Sequence, residues 1–171
     1  QIEDADAAAI QKNIKQLLGQ SVERRLVSDV PVGAFLSGGI DSSIVVGLMS
    51  EVCKVKPATF NISFSEKEFD ESVYAEIIAR KFNTDHTRIQ LSPHSMLDEL
   101  EQALSAMDTP SGDGVNSYVV SKTIKNAGIK VALSGVGGDE LFAGYPIFSQ
   151  FQKLHAKTSW WKYSALIRKT G

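Results

Sequence analysis

The chain has 171 residues, a formal net charge of −2, 43% hydrophobic residues and 22% charged residues. This composition is ordinary for a globular domain with its own core, and it excludes a general nucleic-acid or membrane surface. A single cysteine, Cys53, excludes a disulfide within the chain and fits a reducing cytoplasm, the compartment that we expect. No apolar run approaches the roughly 18 residues of a membrane span, and no signal peptide is visible.

The chain opens with an amphipathic pattern over residues 6–27, which predicts a helix that packs on a core. Pro31 ends any helix and leads into the first strand, within an apolar, β-rich run from Val30 to Leu36. This run stops at a Ser-Gly-Gly turn, and a second helical pattern starts directly behind it. Its predicted apolar face consists of Ile44, Val45, Leu48 and Met49.

Strand, glycine turn and helix form a layout that points backbone N–H groups at an anion, because the first amides of a helix have no helical acceptor. We expect Gly38 and Gly39 to let the backbone approach a phosphate and to adopt positive φ. Hydroxyl donors come from Ser37, Ser42 and Ser43. Asp41 would repel a phosphate by itself, but it would fit a Mg²⁺ that bridges to the phosphates.

This loop is neither a Walker loop, since no lysine follows its last glycine, nor a G-x-G-x-x-G turn. Ser-Gly-Gly-Ile-Asp-Ser instead resembles the pyrophosphate loop of the ATP pyrophosphatases, which cleave ATP between its α and β phosphates. The alternative is an ordinary turn in which Asp41 only caps a helix. Because the serines and Asp41 are all in register, we favour the phosphate loop.

Further along, strands and helices alternate. Strands are predicted over Ala58–Phe64, His86–Leu91 and Ile129–Leu133. One predicted helix follows Asp70 and turns Val73, Ile77, Ile78 and Phe82 inward, and a second starts at Ser92-Pro93 and has an apolar face of Met96, Leu97, Leu100, Leu104 and Met107. A third helix is predicted over residues 116–127 and ends at Gly128. This alternation predicts an α/β fold with a doubly wound parallel sheet, whose ligands bind at the carboxyl ends of the strands.

A second glycine loop, from Ser134 to Glu140, follows the last predicted strand. Its glycines would let the backbone approach a ligand, and Asp139 and Glu140 place acidic groups where a strand ends. A carboxylate from Asp139 opposite Asp41 would complete a Mg²⁺ site together with phosphate oxygens. The alternative is a turn whose solvated Asp-Glu pair caps the next helix. Because the loop occurs together with the first one, we favour the metal.

The two loops, within residues 30–43 and 134–145, look like the synthetase domain of glutamine-hydrolysing asparagine synthetase. Residues 60–64 and 69–75 resemble it too, and the similarity runs from about Val22 to Tyr145. The resemblance implies an adenine nucleotide alpha hydrolase-like (ATP pyrophosphatase) fold. We expect a leading helix over residues 1–28, the ATP-pyrophosphatase core over 29–145, and a helical segment over 146–171 that begins a longer remainder.

The resemblance also implies a reaction. The family adenylates the β-carboxylate of aspartate with MgATP and releases pyrophosphate; ammonia, from glutamine hydrolysed in a separate N-terminal domain, then attacks the adenylate. The cofactors implied are ATP and Mg²⁺. The partners implied are ATP's co-substrates, aspartate or a similar carboxylate and ammonia, together with the glutaminase domain. We expect no nucleic acid and no membrane as partners. A homodimer is left open.

The resemblance assigns site residues as well. The residues that would hold the pyrophosphate end of ATP are Ser37, Gly38, Gly39, Asp41, Ser42 and Ser43, and the residues that would contact adenosine are Leu36 and Ile62. Ser134 and Gly135 would lie near the nucleotide and the aspartyl group. Asp41 and Asp139 would bind Mg²⁺. Asp41, Asp139, Ser134 and Gly135 are thus the catalytic candidates.

Three features depart from the family pattern. Its glutaminase domain, with a nucleophilic cysteine, is absent, and its late lysine would lie beyond residue 171, so we expect these residues alone to turn over little. Val136 stands where well-studied members have a glutamate tied to the acyl-adenylate chemistry. The acceptor therefore stays open, and it could be another carboxylate, as in a β-lactam synthetase or a sugar-tailoring amidotransferase. A further alternative is a nucleotide-binding module that holds ATP or AMP without turnover.

Overall fold

The computed structural model describes residues 6–64, 70–109, 111–112 and 114–155. The chain divides into two compact units, Gln1–Gly135 and Val136–Gly171. The elements of the first unit are α1 (Ala7–Arg25), β1 (Val32–Phe35), α2 (Ile40–Val52), β2 (Ala58–Phe64), α3 (Ser72–Lys81), β3 (Asp85–Leu91), α4 (Pro93–Asp98), α5 (Leu100–Ser105), α6 (Gly114–Asn126) and β4 (Val131–Leu133). The second unit contains α7 (Gly138–Phe142) and a helical stretch over residues 146–155. Residues 156–171 of the predicted C-terminal helical segment lie outside the described part.

The first unit is built on a sheet of four parallel strands in the order β3-β2-β1-β4. The chain moves outward from β1 to β2 and β3, with α2 and α3 in the crossovers, and then returns past β1 to β4 through α4, α5 and α6. Because parallel crossovers are right-handed, connections that run in opposite directions place their helices on opposite faces. The predicted doubly wound α/β fold is confirmed.

The main core lies on the face covered by α2 and α3, with α1 packed against α2. Its fully buried side chains include Leu36 at the end of β1 and Val46 and Met49 on α2. On α6, Val119 and Ile124 are buried separately from this cluster. No helix of the described residues is long and apolar enough to cross a membrane.

The orientation of α3 differs from the prediction. Val73 and Ile77, expected to face inward, are 61% and 57% exposed, whereas Ala75 and Ala79 are buried. Small side chains let a helix lie close to a sheet, so α3 turns its alanines rather than its larger residues toward the strands. Ile78 and Phe82 do pack against the core, as expected.

Two other helical predictions need correction. The Met-Leu pattern does not form one helix: α4 and α5 are separate, with Glu99 between them, and Leu97 and Leu104 are 68% and 58% exposed. Within α2, Ile44 is 43% exposed, since buried residues such as Val46 define the inner face instead. Ser92 caps α4 as predicted, accepting the N–H of Ser95 at 3.1 Å.

One face of β2 is polar although it is buried. Thr59, Asn61 and Ser63 alternate along the strand and are 0%, 3% and 1% exposed. Their partners lie largely on β3: Thr59 Oγ1 lies 3.0 Å from Nδ1 of His86, and Ser63 Oγ accepts from Nε of Arg88 at 3.0 Å. Buried polar groups cost stability unless they are hydrogen-bonded, so these contacts offset much of the cost of this layer.

Acidification is predicted to destabilise the first unit through His86. Burial lowers the pKa of His86 below its ordinary 6.5, against a smaller raising effect from the charge of Glu76. The unfolded chain then binds more protons than the folded one as the pH falls below about 6.5, so the free energy of unfolding should decrease there. Urea unfolding at pH 7.5 and 5.5 measures this, and His86→Gln should show a smaller decrease.

The matched control is His94→Gln. His94 is exposed, and hydrogen bonding to Asp98 raises its pKa, so its contribution has the opposite sign and is lost as the pH rises. An equal loss of stability in the parent and in His86→Gln would contradict the assignment to His86.

Candidate active site

The first glycine loop lies between the end of β1 at Phe35 and the start of α2 at Ile40. Gly38 has a φ of +90°, as expected, whereas Gly39 has a φ of −67° and is the N-cap of α2. The prediction of positive φ is therefore wrong for Gly39. The first helical bond runs from Ser43 N to Gly39 O at 3.1 Å, so the amides before Ser43 have no acceptor in the helix.

The three serines of the loop hold its shape. Ser37 Oγ accepts the N–H of Gly39 at 3.2 Å and lies 3.0 Å from Ser42 Oγ. Ser43 Oγ donates to the carbonyl of Gly39 at 2.6 Å. The hydroxyl groups thus bond to the loop, and the uncapped amino end of α2 is what offers an anion its N–H groups and helix dipole.

Gly38 lies directly against the first turn of α3. A Cβ atom at this position would be 2.6 Å from Cβ of Tyr74 and 2.7 Å from N of Ala75. Both the left-handed backbone and this packing therefore require glycine. By contrast, a Cβ at Gly39 would have one neighbour within 4 Å among the described residues, Ser37 Oγ at 3.3 Å.

The second loop reaches the first one through Gly135. A Cβ there would be 2.8 Å from N of Ser42 and 2.9 Å from Cβ of Asp41, so Gly135 packs on the first turn of α2. Ser134 is exposed beside it, and Asp41 is half-buried. β1 and β4 are neighbours at the point where the strand order reverses, since the chain runs outward from β1 to β2 and β3 and then returns past β1 to β4, and doubly wound sheets bind ligands at such a point.

The two residues predicted to contact adenosine lie on adjacent strands. Leu36 follows β1 and donates its N–H to the carbonyl of Phe60 at 2.8 Å, and Ile62 is half-buried in β2. The side chain of Leu36 is only 1% exposed and belongs to the core. The whole residue is buried, with its N–H bonded to Phe60, so its predicted contact with adenosine stays a prediction that this burial does not favour.

The second unit carries the acidic part of the second loop. Asp139 is half-buried in the first turn of α7, and a Cβ at Gly144 would collide with its Oδ1. Gly144 also donates its N–H to the carbonyl of Asp139 at 2.9 Å, so the chain turns back on this residue. Glu140 Oε1 accepts from the hydroxyl of Tyr145 at 2.8 Å, and Val136 is 91% exposed.

No group of three or more His, Cys, Asp and Glu side chains within the described ranges is arranged to hold a metal ion. The predicted Mg²⁺ site needs only two carboxylates, since phosphate oxygens and water supply the other ligands. Its shared use of Asp41 and Asp139 stays a prediction.

One polar residue beside the loop was not identified from the sequence. The side chain of Asn61 donates from Nδ2 to the carbonyl of Leu36 at 3.0 Å, and both groups are buried. The signal available was the alternation of polar residues in Ala58–Phe64, which reads as a strand with one solvated face. Only the packing of α3 over that face shows that it is buried.

The fold and the glycine loop at its switch point place this chain among the doubly wound α/β proteins of the adenine nucleotide alpha hydrolase-like type. The NH3-dependent NAD synthetase from Campylobacter jejuni has the same fold, with a TM-score of 0.51, 17% sequence identity and coverage of 78% of this chain and 60% of that one. The family model for asparagine synthase matches residues 13–170. The chain belongs to the asparagine synthase family.

Similar curated proteins agree with this assignment. The putative asparagine synthetase [glutamine-hydrolyzing] 2 of Methanocaldococcus jannaschii is 42% identical over 134 residues, covering 77% of this chain and 26% of its own length. Asparagine synthetase [glutamine-hydrolyzing] 1 of Bacillus subtilis is 36% identical, covering 81% and 22%. The amidase chyE of Penicillium rubens is 30% identical, covering 81% and 23%. The chain thus spans about a quarter of the length of these relatives.

Replacing Gly38 by alanine is predicted to destabilise the first unit far more than replacing Gly39. A left-handed alanine costs roughly 1 kcal/mol by itself, and the contacts with α3 add to it. Gly39→Ala should change the free energy of unfolding little, because its φ of −67° suits any residue. Urea unfolding of the two variants measures the difference, and equal stabilities would show that α3 does not pack on Gly38 in solution.

Proposed function

We propose that this chain is the ATP-binding synthetase part of an amide-forming ligase. The observation that carries the proposal is the glycine loop Ser37–Ser43, whose uncapped helix start faces the switch point and is contacted by Gly135. Membership of the asparagine synthase family supports an ATP-dependent amidation. Neither observation identifies the acceptor.

The loop suits a reaction that releases pyrophosphate. An acceptor carboxylate oxygen attacks the α-phosphorus of ATP, and the bond from that phosphorus to the bridging oxygen breaks, so that pyrophosphate leaves with the electron pair. Amides at the start of α2 would stabilise the charge that develops on this leaving group. No lysine follows the glycines, so the loop lacks the group that Walker loops place on the β and γ phosphates.

The second step makes the amide. Ammonia attacks the carbonyl carbon of the acyl-adenylate, AMP leaves, and the nitrogen loses a proton. We propose that the ammonia comes from a glutaminase domain of the complete protein, because relatives in Methanocaldococcus jannaschii and Bacillus subtilis are named as glutamine-hydrolysing. The two-step sequence needs no residue of this chain as a covalent nucleophile.

Asp41 and Asp139 are the proposed Mg²⁺ ligands. Asp41 is half-buried in the first turn of α2, beside Gly135, and Asp139 is half-buried in the first turn of α7. Paired carboxylates suit Mg²⁺, which neutralises phosphate charge when it is bound. Glu140 fits the role less well, since Tyr145 already bonds to its carboxylate.

The β-carboxylate of aspartate is the first candidate for the acceptor, by similarity to the asparagine synthetases. Another carboxylate is the second candidate. It is favoured by Val136, a 91% exposed apolar side chain in the second loop, and by 30% identity to an amidase of Penicillium rubens. An apolar residue at that place offers no charge or hydrogen bond to the acceptor.

The complete protein is predicted to convert ATP to AMP and pyrophosphate in the presence of its acceptor and ammonia. Chromatography of the nucleotide products, with aspartate and a panel of other carboxylates, measures this and identifies the acceptor. Gly39→Val is the matched probe: it should fold, because the φ of −67° suits a residue with a side chain and a Cβ there would press only on the hydroxyl of Ser37 among the described residues, yet it should block the approach of phosphate. ADP as the main product would contradict the proposed function, and ATP binding without turnover with any acceptor would favour the binding module.

Asp41→Asn and Asp139→Asn are each predicted to weaken Mg²⁺-dependent ATP binding, by about tenfold or more, because each removes a charged metal ligand. Glu140→Gln is the control and should change binding less. Calorimetric titration of ATP with and without Mg²⁺ measures the three variants. If both asparagine variants bind MgATP like the parent, neither carboxylate is a Mg²⁺ ligand.

A further inference from the structure

We propose that Asn61 is a positioning residue for the phosphate loop: its side-chain amide fixes the direction in which the chain leaves β1. The proposal rests on the proposed function, since it concerns the same loop. Asn61 is 3% exposed, and its Nδ2 donates to the carbonyl of Leu36 at 3.0 Å. The pairing of β1 with β2 ends at Phe35 and Phe60, so this carbonyl belongs to the first residue beyond the paired strand.

The contact acts on one peptide plane. The carbonyl of Leu36 and the N–H of Ser37 belong to the same planar unit, so orienting one group orients the other. Asn61 holds the carbonyl, and Ser42 Oγ accepts from the N–H of Ser37 at 3.3 Å. The plane is thus tied to β2 on one side and to the first turn of α2 on the other, immediately before Gly38.

The loop that follows inherits this orientation. Ser37 Oγ accepts from Gly39 N, and Gly38 leaves no space between the loop and α3. A rotation of the Leu36–Ser37 plane would therefore displace Gly39 and, with it, the first amides of α2, which are the proposed anion donors. Sites that stabilise developing charge depend on donors being held in place beforehand.

Asn61 also has a cost in stability at its position. Its Oδ1 is buried and has no hydrogen-bond partner among the described residues, and such an acceptor costs stability. The polar groups of Thr59 and Ser63 on the same face bond to residues of the chain segment around β3, and neither reaches the loop. Thr59 is therefore a matched control: it is equally buried, on the same strand and face, and away from the loop.

The experiment compares Asn61→Leu with Thr59→Val in the complete protein. Each variant replaces a buried polar side chain with an apolar one of similar size, and urea unfolding reports what each does to stability. Isothermal titration with MgATP and with inorganic pyrophosphate measures the affinity of the loop for each ligand. We expect Asn61→Leu to weaken both affinities by about tenfold and Thr59→Val to leave them within twofold of the parent. In steady-state assays, Asn61→Leu should raise KM for ATP and leave KM for the acceptor unchanged.

The outcomes separate this proposal from the proposed function. If the parent binds neither MgATP nor pyrophosphate, the proposed function fails, and this proposal fails with it. If the parent binds both and Asn61→Leu binds as tightly as Thr59→Val, Asn61 has only a structural role and the proposed function stands. Asn61→Ala, which removes the amide without adding bulk, decides the question by the same criterion if the leucine variant does not fold.

Discussion

The candidate site depends on the left-handed backbone of Gly38. This conformation turns the chain from β1 into α2 within four residues, and the absent side chain lets the first turn of α3 pack directly on the loop. The amides that start α2 are thereby carried on a rigid support rather than on a free loop. Gly135 completes the arrangement from the other neighbour of β1, where its missing side chain allows backbone contact with Ser42. Anion binding by backbone groups requires such rigidity, because the donors cannot be re-aimed by changing a side-chain rotamer.

The support below the loop is polar, which is unusual for the inside of an α/β layer. Thr59, Asn61 and Ser63 occupy one face of β2, and α3 covers them with alanines. Arg88 extends the network: it donates to Ser63 and to Asp70, and Asp70 in turn accepts from the N–H of Ser72 at the start of α3. Directional contacts fix the relative positions of β2, β3 and α3 more closely than apolar packing alone does, at a cost in burial that the hydrogen bonds largely offset. The buried polar face of β2 therefore contributes less to stability than an apolar face would, but it defines the geometry next to the loop.

Family membership and residue chemistry answer different questions about this chain. The match to the asparagine synthase family supports the use of ATP, and the loop geometry is what favours the switch point of the sheet as the proposed nucleotide site. Acceptor choice is a separate question, to which the exposed apolar side chain of Val136 is the proposed contribution of this chain. The chain spans about a quarter of the length of these relatives. In a complete protein, residues outside this chain would therefore also contribute to the choice of acceptor. The fold by itself does not determine the acceptor, because one fold can support several reactions.

The sequence by itself determined the alternation of strands and helices, the parallel sheet, the two glycine loops and the family. These follow from local information: hydrophobic period, turn residues and glycines placed directly after strands. It predicted the inner face of α3 wrongly, joined α4 to α5, and did not reveal that Asn61 reaches Leu36 or that Gly135 rests on Ser42. These features join residues that are distant in the chain, and they depend on how closely one element can approach another. Tertiary packing decided them, because the side chains of a single element fix its period but not the neighbour against which it will lie.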